Sequence, residues 1–167
     1  MTKHKIMTRQ KIMTRQKIVT IHATTSTLAL LLILSFFLST SISELMGNQE
    51  LITQVKSIIF YAIWPLLPCM AIAGITGNKL AGKATKGLIG NKKKRIPIIA
   101  ANGILILIPA AIYLKTLAVS GTFDTSFYLV QGLELFAGFT NLVLMSLNLR
   151  DGLKIKHAKL KKHHLKE

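Results

Sequence analysis

Four long apolar runs, separated by short polar stretches, set the pattern of this chain. The first, 21–43, is built around LALLLILSFFL. The second, 57–77, holds IIFYAIWPLLPCMAIAGITG, and the third and fourth are 96–117 and 126–149. A helix that crosses a hydrocarbon core of ~30 Å needs about 20 consecutive, mostly apolar residues. Each run meets that length. The pattern predicts an all-α, polytopic membrane protein: an antiparallel bundle of four transmembrane helices spanning 21–149. Residues 1–20 form a basic N-terminal extension and 150–167 a basic tail. The remaining residues leave no room for a separate soluble domain.

Composition agrees with this pattern. Half of the 167 residues are hydrophobic, and the mean hydropathy is +0.46. The formal charge of +16 would point to nucleic acid in a soluble protein, but its placement argues otherwise. Six basic residues precede the first run, seven lie between the second and third, and seven follow the fourth. The other two connections carry only Lys56 and Lys115. Twenty against two is the positive-inside bias, and it predicts cytoplasmic termini and a cytoplasmic central loop. The expected partners are therefore a bilayer with anionic lipids at the cytoplasmic face, and a homo-oligomer or larger membrane complex, with no nucleic acid.

The N-terminus repeats KIMTRQ at 5–10 and 11–16. The repeat reads as a tandem duplication or a misplaced start, with Met7 and Met13 as alternative starts. The first run also carries the basic flank and small residues (39–43) of a signal peptide; retention as a helix is the expectation, cleavage the alternative. In the second run Pro65 and Pro68 predict a kink, and Ala73 with Gly77 makes a small-xxx-small pair. The third run is expected to open at Pro97, and Lys115 to snorkel outward. Asp124 or Thr125 is expected to cap the fourth helix, and Gly152 to end it.

The fourth run carries the most informative polar residues. Gln131, Glu134, Gly138, Asn141, Met145 and Asn148 recur at steps of three and four, which puts them on one helical stripe. Inserting an acid at mid-membrane depth costs on the order of 2.5–3.5 kcal/mol, so such a stripe faces other helices. Depth matching at 1.5 Å per residue sets Glu134 level with Ser35, Pro65 and Pro109. Its expected partner is then Ser35 or a carbonyl freed by either proline. The same matching groups Asn141 with Asn102 and Cys69, and His22 with Asn148. The predicted intramembrane polar seam is Glu134, Gln131, Asn141, Asn102 and Ser35.

Other chemistry is sparse. No Ser–His–Asp set, HExxH or paired carboxylate is readable, so no catalytic residue is expected and the chain is not read as an enzyme. GNKLAGKA at 77–84 fits most of the phosphate-loop pattern, but it follows a membrane run and Ala84 stands where the magnesium-binding hydroxyl belongs. Cys69 is alone, which excludes an intrachain disulfide. No metal site is expected. His22 is a candidate haem ligand, because bundles of four membrane helices often hold haem b between axial side chains. The other histidines lie in the basic tails, and Met70 and Met145 are the alternative second ligands.

From IHATTSTLALLL at 21 to LNLRDGLK ending at 154 the chain resembles small uncharacterised bacterial four-helix integral membrane proteins with no assigned activity. The resemblance is most specific in IIAANG (98–103) and FYLVQGLELFAG (127–138). It implies a bacterial inner (plasma) membrane location and carries over no site residue. The expected function is a non-enzymatic accessory or assembly component of that membrane. Proton- or ion-coupled transport through Glu134 is the first alternative, and electron transfer through haem on His22 the second.

Overall fold

Gly47 and Asn48 alone turn the chain between its first two helices. Gly47 adopts φ 63°, a left-handed value that glycine reaches without steric cost, and its N–H donates to Glu44 O. Asn48 then accepts from Leu51 N–H and opens the next helix, satisfying one of its orphan donors. The computed structural model describes residues 3–164. It contains α1 (Lys3–Met46), α2 (Gln49–Ala81), α3 (Gly87–Asn102), a π turn (Gly103–Leu107), α4 (Ile108–Val119) and α5 (Thr125–His164). No strand occurs among the described residues.

α3, the π turn and α4 form one continuous helical segment. Pro109 lacks an N–H and its ring crowds the carbonyl one turn back. Just ahead of it the backbone widens, and Ile108 N–H donates to Gly103 O, five residues back. The segment closes at Gly121, φ 70°. There Thr122 N–H donates to Leu117 O and Gly121 N–H to Ala118 O, which is the Schellman arrangement. Asp124 caps α5 by accepting from Phe127 N–H at 3.0 Å.

Several helices run past the ends expected from the apolar runs. α2 starts at Gln49, so Lys56 lies on the helix rather than in a connection. α3 starts at Gly87, which puts Pro97 in its interior instead of its first turn. α5 passes through Gly152 without stopping. α2 runs through Pro65 and Pro68 as one helix.

The helices pack side by side. α1 lies against α2 and α5, α2 also against α4, and α5 also against α3. Two small apolar clusters mark the interior. One joins Ala29, Ile33, Leu66 and Leu142, and Cys69 packs against it as an ordinary apolar side chain. The other joins Ile52, Leu114, Ala118 and Phe127. Four segments, Met13–Met46, Gln49–Ala81, Gly87–Val119 and Thr125–Ala158, are long and apolar enough to cross a membrane. Only 11–33% of each segment's most apolar stretch is buried inside the protein. Leu45, Leu105, Leu129 and Phe136 all point outward.

Candidate functional site

The seam begins on α2. Ile52, Lys56, Ile59 and Leu66 are all buried, and their spacing of four, three and seven residues makes one stripe. Lys56 stands in that inward stripe with 1% of its side chain exposed. Its Nζ donates to Glu134 Oε2 on α5. Gln131, one turn earlier on α5, donates from Nε2 to the same oxygen at 3.3 Å. The partner of Glu134 is therefore Lys56, not Ser35 or a proline-freed carbonyl. Ser35 is exposed and donates to Leu31 O on its own helix at 2.9 Å.

α1 completes this end of the bundle. Thr40 and Ser43 are buried, and Glu44 beside them interacts electrostatically with both Lys56 and Glu134. Glu44 Oε1 and Gln131 Oε1 are buried with no hydrogen-bond partner among the described residues. Thr53 Oγ1 donates to Ala118 O at 3.1 Å and ties α2 to α4. Lys115 places its Nζ 5.3 Å from the centre of the Phe60 ring, a cation–π contact.

Further along α5, two amides form a clamp. Asn102 Nδ2 donates to Asn141 Oδ1 at 2.9 Å and to Ala137 O at 2.8 Å. Asn141 Nδ2 donates to Ile99 O at 3.4 Å, and Asn141 is fully buried. Each amide reaches backbone on the opposite helix, and a buried amide with its partners in place avoids the cost of an orphaned polar group.

The other end of the bundle centres on His22 and Asp151. His22 Nδ1 lies 3.0 Å from Ala73 O and 3.2 Å from Thr76 Oγ1. A carbonyl only accepts, so Nδ1 carries the proton and Nε2 is left as the acceptor. Gly77 makes room for this ring, since a Cβ there would stand 2.9 Å from His22 Cε1. Asn148, grouped with His22 by depth, instead accepts from Arg95 at 3.3 Å. Arg95 also donates to Asp151 Oδ2 at 2.7 Å, and Arg150 donates to Asp151 Oδ1 at 3.2 Å. Arg95 and Asp151 had no place in the seam read from the sequence. Asp151 lies three residues beyond Asn148, so the α5 stripe extends one further turn to reach it.

Between the two ends lies a cavity of about 1200 Å³. Its wall is mostly aliphatic and comes from every helix, including Ile33, Met70, Ile99, Leu107, Ala111 and Met145. Glu134 touches it at one end, and Arg15, His22, Lys92, Lys93 and Lys156 at the other. Among the described residues no three His, Cys, Asp or Glu side chains gather as a metal set. His22 is the histidine that lines the cavity, together with Met70 and Met145, while His157 is exposed. The side chains of His4, His163 and His164 lie outside the described residues.

No protein-family model, curated protein or solved structure matches this chain.

Proposed function

We propose that this chain is a four-span protein of the bacterial inner membrane, an antiparallel bundle with both termini cytoplasmic, serving as a non-enzymatic accessory or assembly component. The outward-facing apolar side chains of all four long helices support insertion, because lipid carries no penalty for them. The alternation of basic residues supports the orientation. The observation that carries the functional reading is the Lys56–Glu134 pair. The acid deepest in the fourth run is held by a lysine and an amide from inside the bundle. Such a pair ties α2 to α5 across the bundle, between two helices that do not pack directly on each other, and a buried ion pair of this kind favours one arrangement of the helices over others.

Two measurements test this reading. Reporter fusions at 82–86 and at 121–123 are expected to report opposite sides, with 82–86 cytoplasmic; the same side for both overturns the topology. Crosslinking and co-purification from native membranes is expected to recover a stoichiometric membrane partner. Recovery of the chain alone, as a monomer, overturns the accessory role.

Glu44 supports a second reading, proton- or ion-coupled transport through Glu134. Its buried Oε1 has no hydrogen-bond partner among the described residues and lies near an acid and a lysine already paired with each other. Under this reading the reconstituted protein dissipates a pH or sodium gradient, and Glu134→Gln keeps the fold but abolishes the flux. No flux from the wild-type protein removes it.

A further inference from the structure

We infer that the cavity at the His22 end is a binding site for one anionic phospholipid, its phosphate held by Arg15, Lys92 and Lys156 and an acyl chain laid along the aliphatic wall toward Glu134. The inference rests on the membrane topology proposed above, which puts these three cations at the cytoplasmic headgroup level.

The first argument is size and chemistry. A volume of about 1200 Å³ exceeds the ~300–1,000 Å³ of ordinary small-molecule sites. Apart from Ser26, Thr27 and Thr40 on α1 and from Glu134, His22, Asn141 and Asn148, the inner wall is apolar, mostly aliphatic with Phe36 and Phe37. Gly74 lines it, and a Cβ there would meet nothing within 4 Å. A long apolar chain fits such a wall; a free sugar or nucleotide does not.

The second argument is unbalanced charge. Asp151, the nearby carboxylate, is already taken by Arg95 and Arg150. Arg95 is further satisfied by Asn148. Lys93 at the same mouth donates to Gly82 O. Lys92 is half-buried beside them, and Arg15 and Lys156 are exposed at the rim. None of the three is in an ion pair among the described residues. Lys92 also feels the charge of Asp151, but that single carboxylate already faces Arg95 and Arg150, so the cations over the apolar hollow outnumber the acid and select an anionic head on an apolar tail. An anionic phospholipid provides both parts, the phosphate as the head and an acyl chain as the tail.

The test is native mass spectrometry of the full-length protein titrated with phosphatidylglycerol, and with phosphatidylcholine of the same chains. One phosphatidylglycerol per protein is expected to be retained, with phosphatidylcholine much weaker. Lys92→Gln/Lys156→Gln is expected to weaken phosphatidylglycerol about 30-fold, from ~1 kcal/mol per basic residue, and phosphatidylcholine much less, because its choline offsets the charge of its phosphate. Gly74→Leu, which fills the hollow, is expected to lose both lipids. Should Gly74→Leu fail to fold, the double charge variant decides alone, since Lys156 is exposed and Lys92 only half-buried. Equal binding of the two lipids, or unchanged phosphatidylglycerol affinity in the charge variant, overturns the site. So does a purified protein showing a Soret band or a partner helix crosslinked to Gly74→Cys. A fusion at 82–86 reporting the cytoplasm with no lipid retained overturns the site alone; one reporting the outside overturns the topology beneath it.

Discussion

The two ends of this bundle place charge in an apolar interior in different ways. At the Glu44 end, Lys56, Gln131 and Glu134 close on one another beneath fully buried Leu114 and Phe127. At the His22 end, Arg95 and Asp151 are paired, but the helices stand around a hollow lined by Arg15, Lys92 and Lys156, which make no ion pair among the described residues. At the first end the buried lysine finds its acid within the bundle, although Glu44 Oε1 and Gln131 Oε1 have no hydrogen-bond partner among the described residues. The second has cations left over and space to fill. A charge can lie within apolar helices where packing brings it a partner, and where packing does not, the same physics calls for a ligand or for solvent at the rim.

The largest expected effect lies at the closed end. Lys56→Met strands Glu134 and is expected to cost about 3–5 kcal/mol, the usual loss when one member of a buried pair is removed. Lys56→Met/Glu134→Leu is expected to regain most of it. Reversible unfolding in mixed micelles measures both, and equal losses in the single and double variants would show that the pair is not a unit.

At the hollow end, the contact of His22 with Gly77 is the tight one. Gly77→Ala pushes a methyl into the ring and is expected to cost about 1–3 kcal/mol, as overpacking does. Adding His22→Ala is expected to relieve it. No recovery would place the strain elsewhere and erase the contrast between a tight wall at Gly77 and an open one at Gly74.

Between the ends, Asn141→Leu removes the amide clamp. The expected loss is about 1 kcal/mol, since polar contacts between membrane helices average below that and reach ~1.7 at most. A loss as large as that of Lys56→Met would mean that the amides, not the ions, hold the register.

The smallest effect is at the surface. Asp124 accepts from the Ser126 hydroxyl and then from Phe127 N–H, and these bonds hold its carboxyl below the ordinary value near 3.8. Its contribution is present above that value and is lost as pH falls through the lowered one. Asp124→Asn is expected to flatten the acid limb of the stability–pH curve slightly and leave the neutral region nearly unchanged. An unaltered acid limb would remove the cap from the account.

Local pattern carried a good part of this protein. The four runs were legible because hydropathy is a property of neighbours in sequence. The stripe of Gln131, Glu134 and Asn141 was legible because helical spacing fixes a face. Depth counting also set Asn102 level with Asn141, and the two are 2.9 Å apart. The errors share a cause. Lys56, Pro97 and Gly152 were read as marks of helix ends, because an isolated charge, proline or glycine interrupts an apolar run. The signal for Lys56 was nonetheless present in its spacing from Ile52, Ile59 and Leu66.

The sequence by itself determined the number and apolar surface of the long helices, and which face of α5 turns inward. Only the tertiary structure decided that Lys56 meets Glu134 across 78 residues, that Arg95 meets Asp151 across 56, and that a hollow remains between them. Hydropathy and helical period act over a turn or two of one chain segment. The partner of a buried charge, and the space left beside it, depend on which helix packs against which.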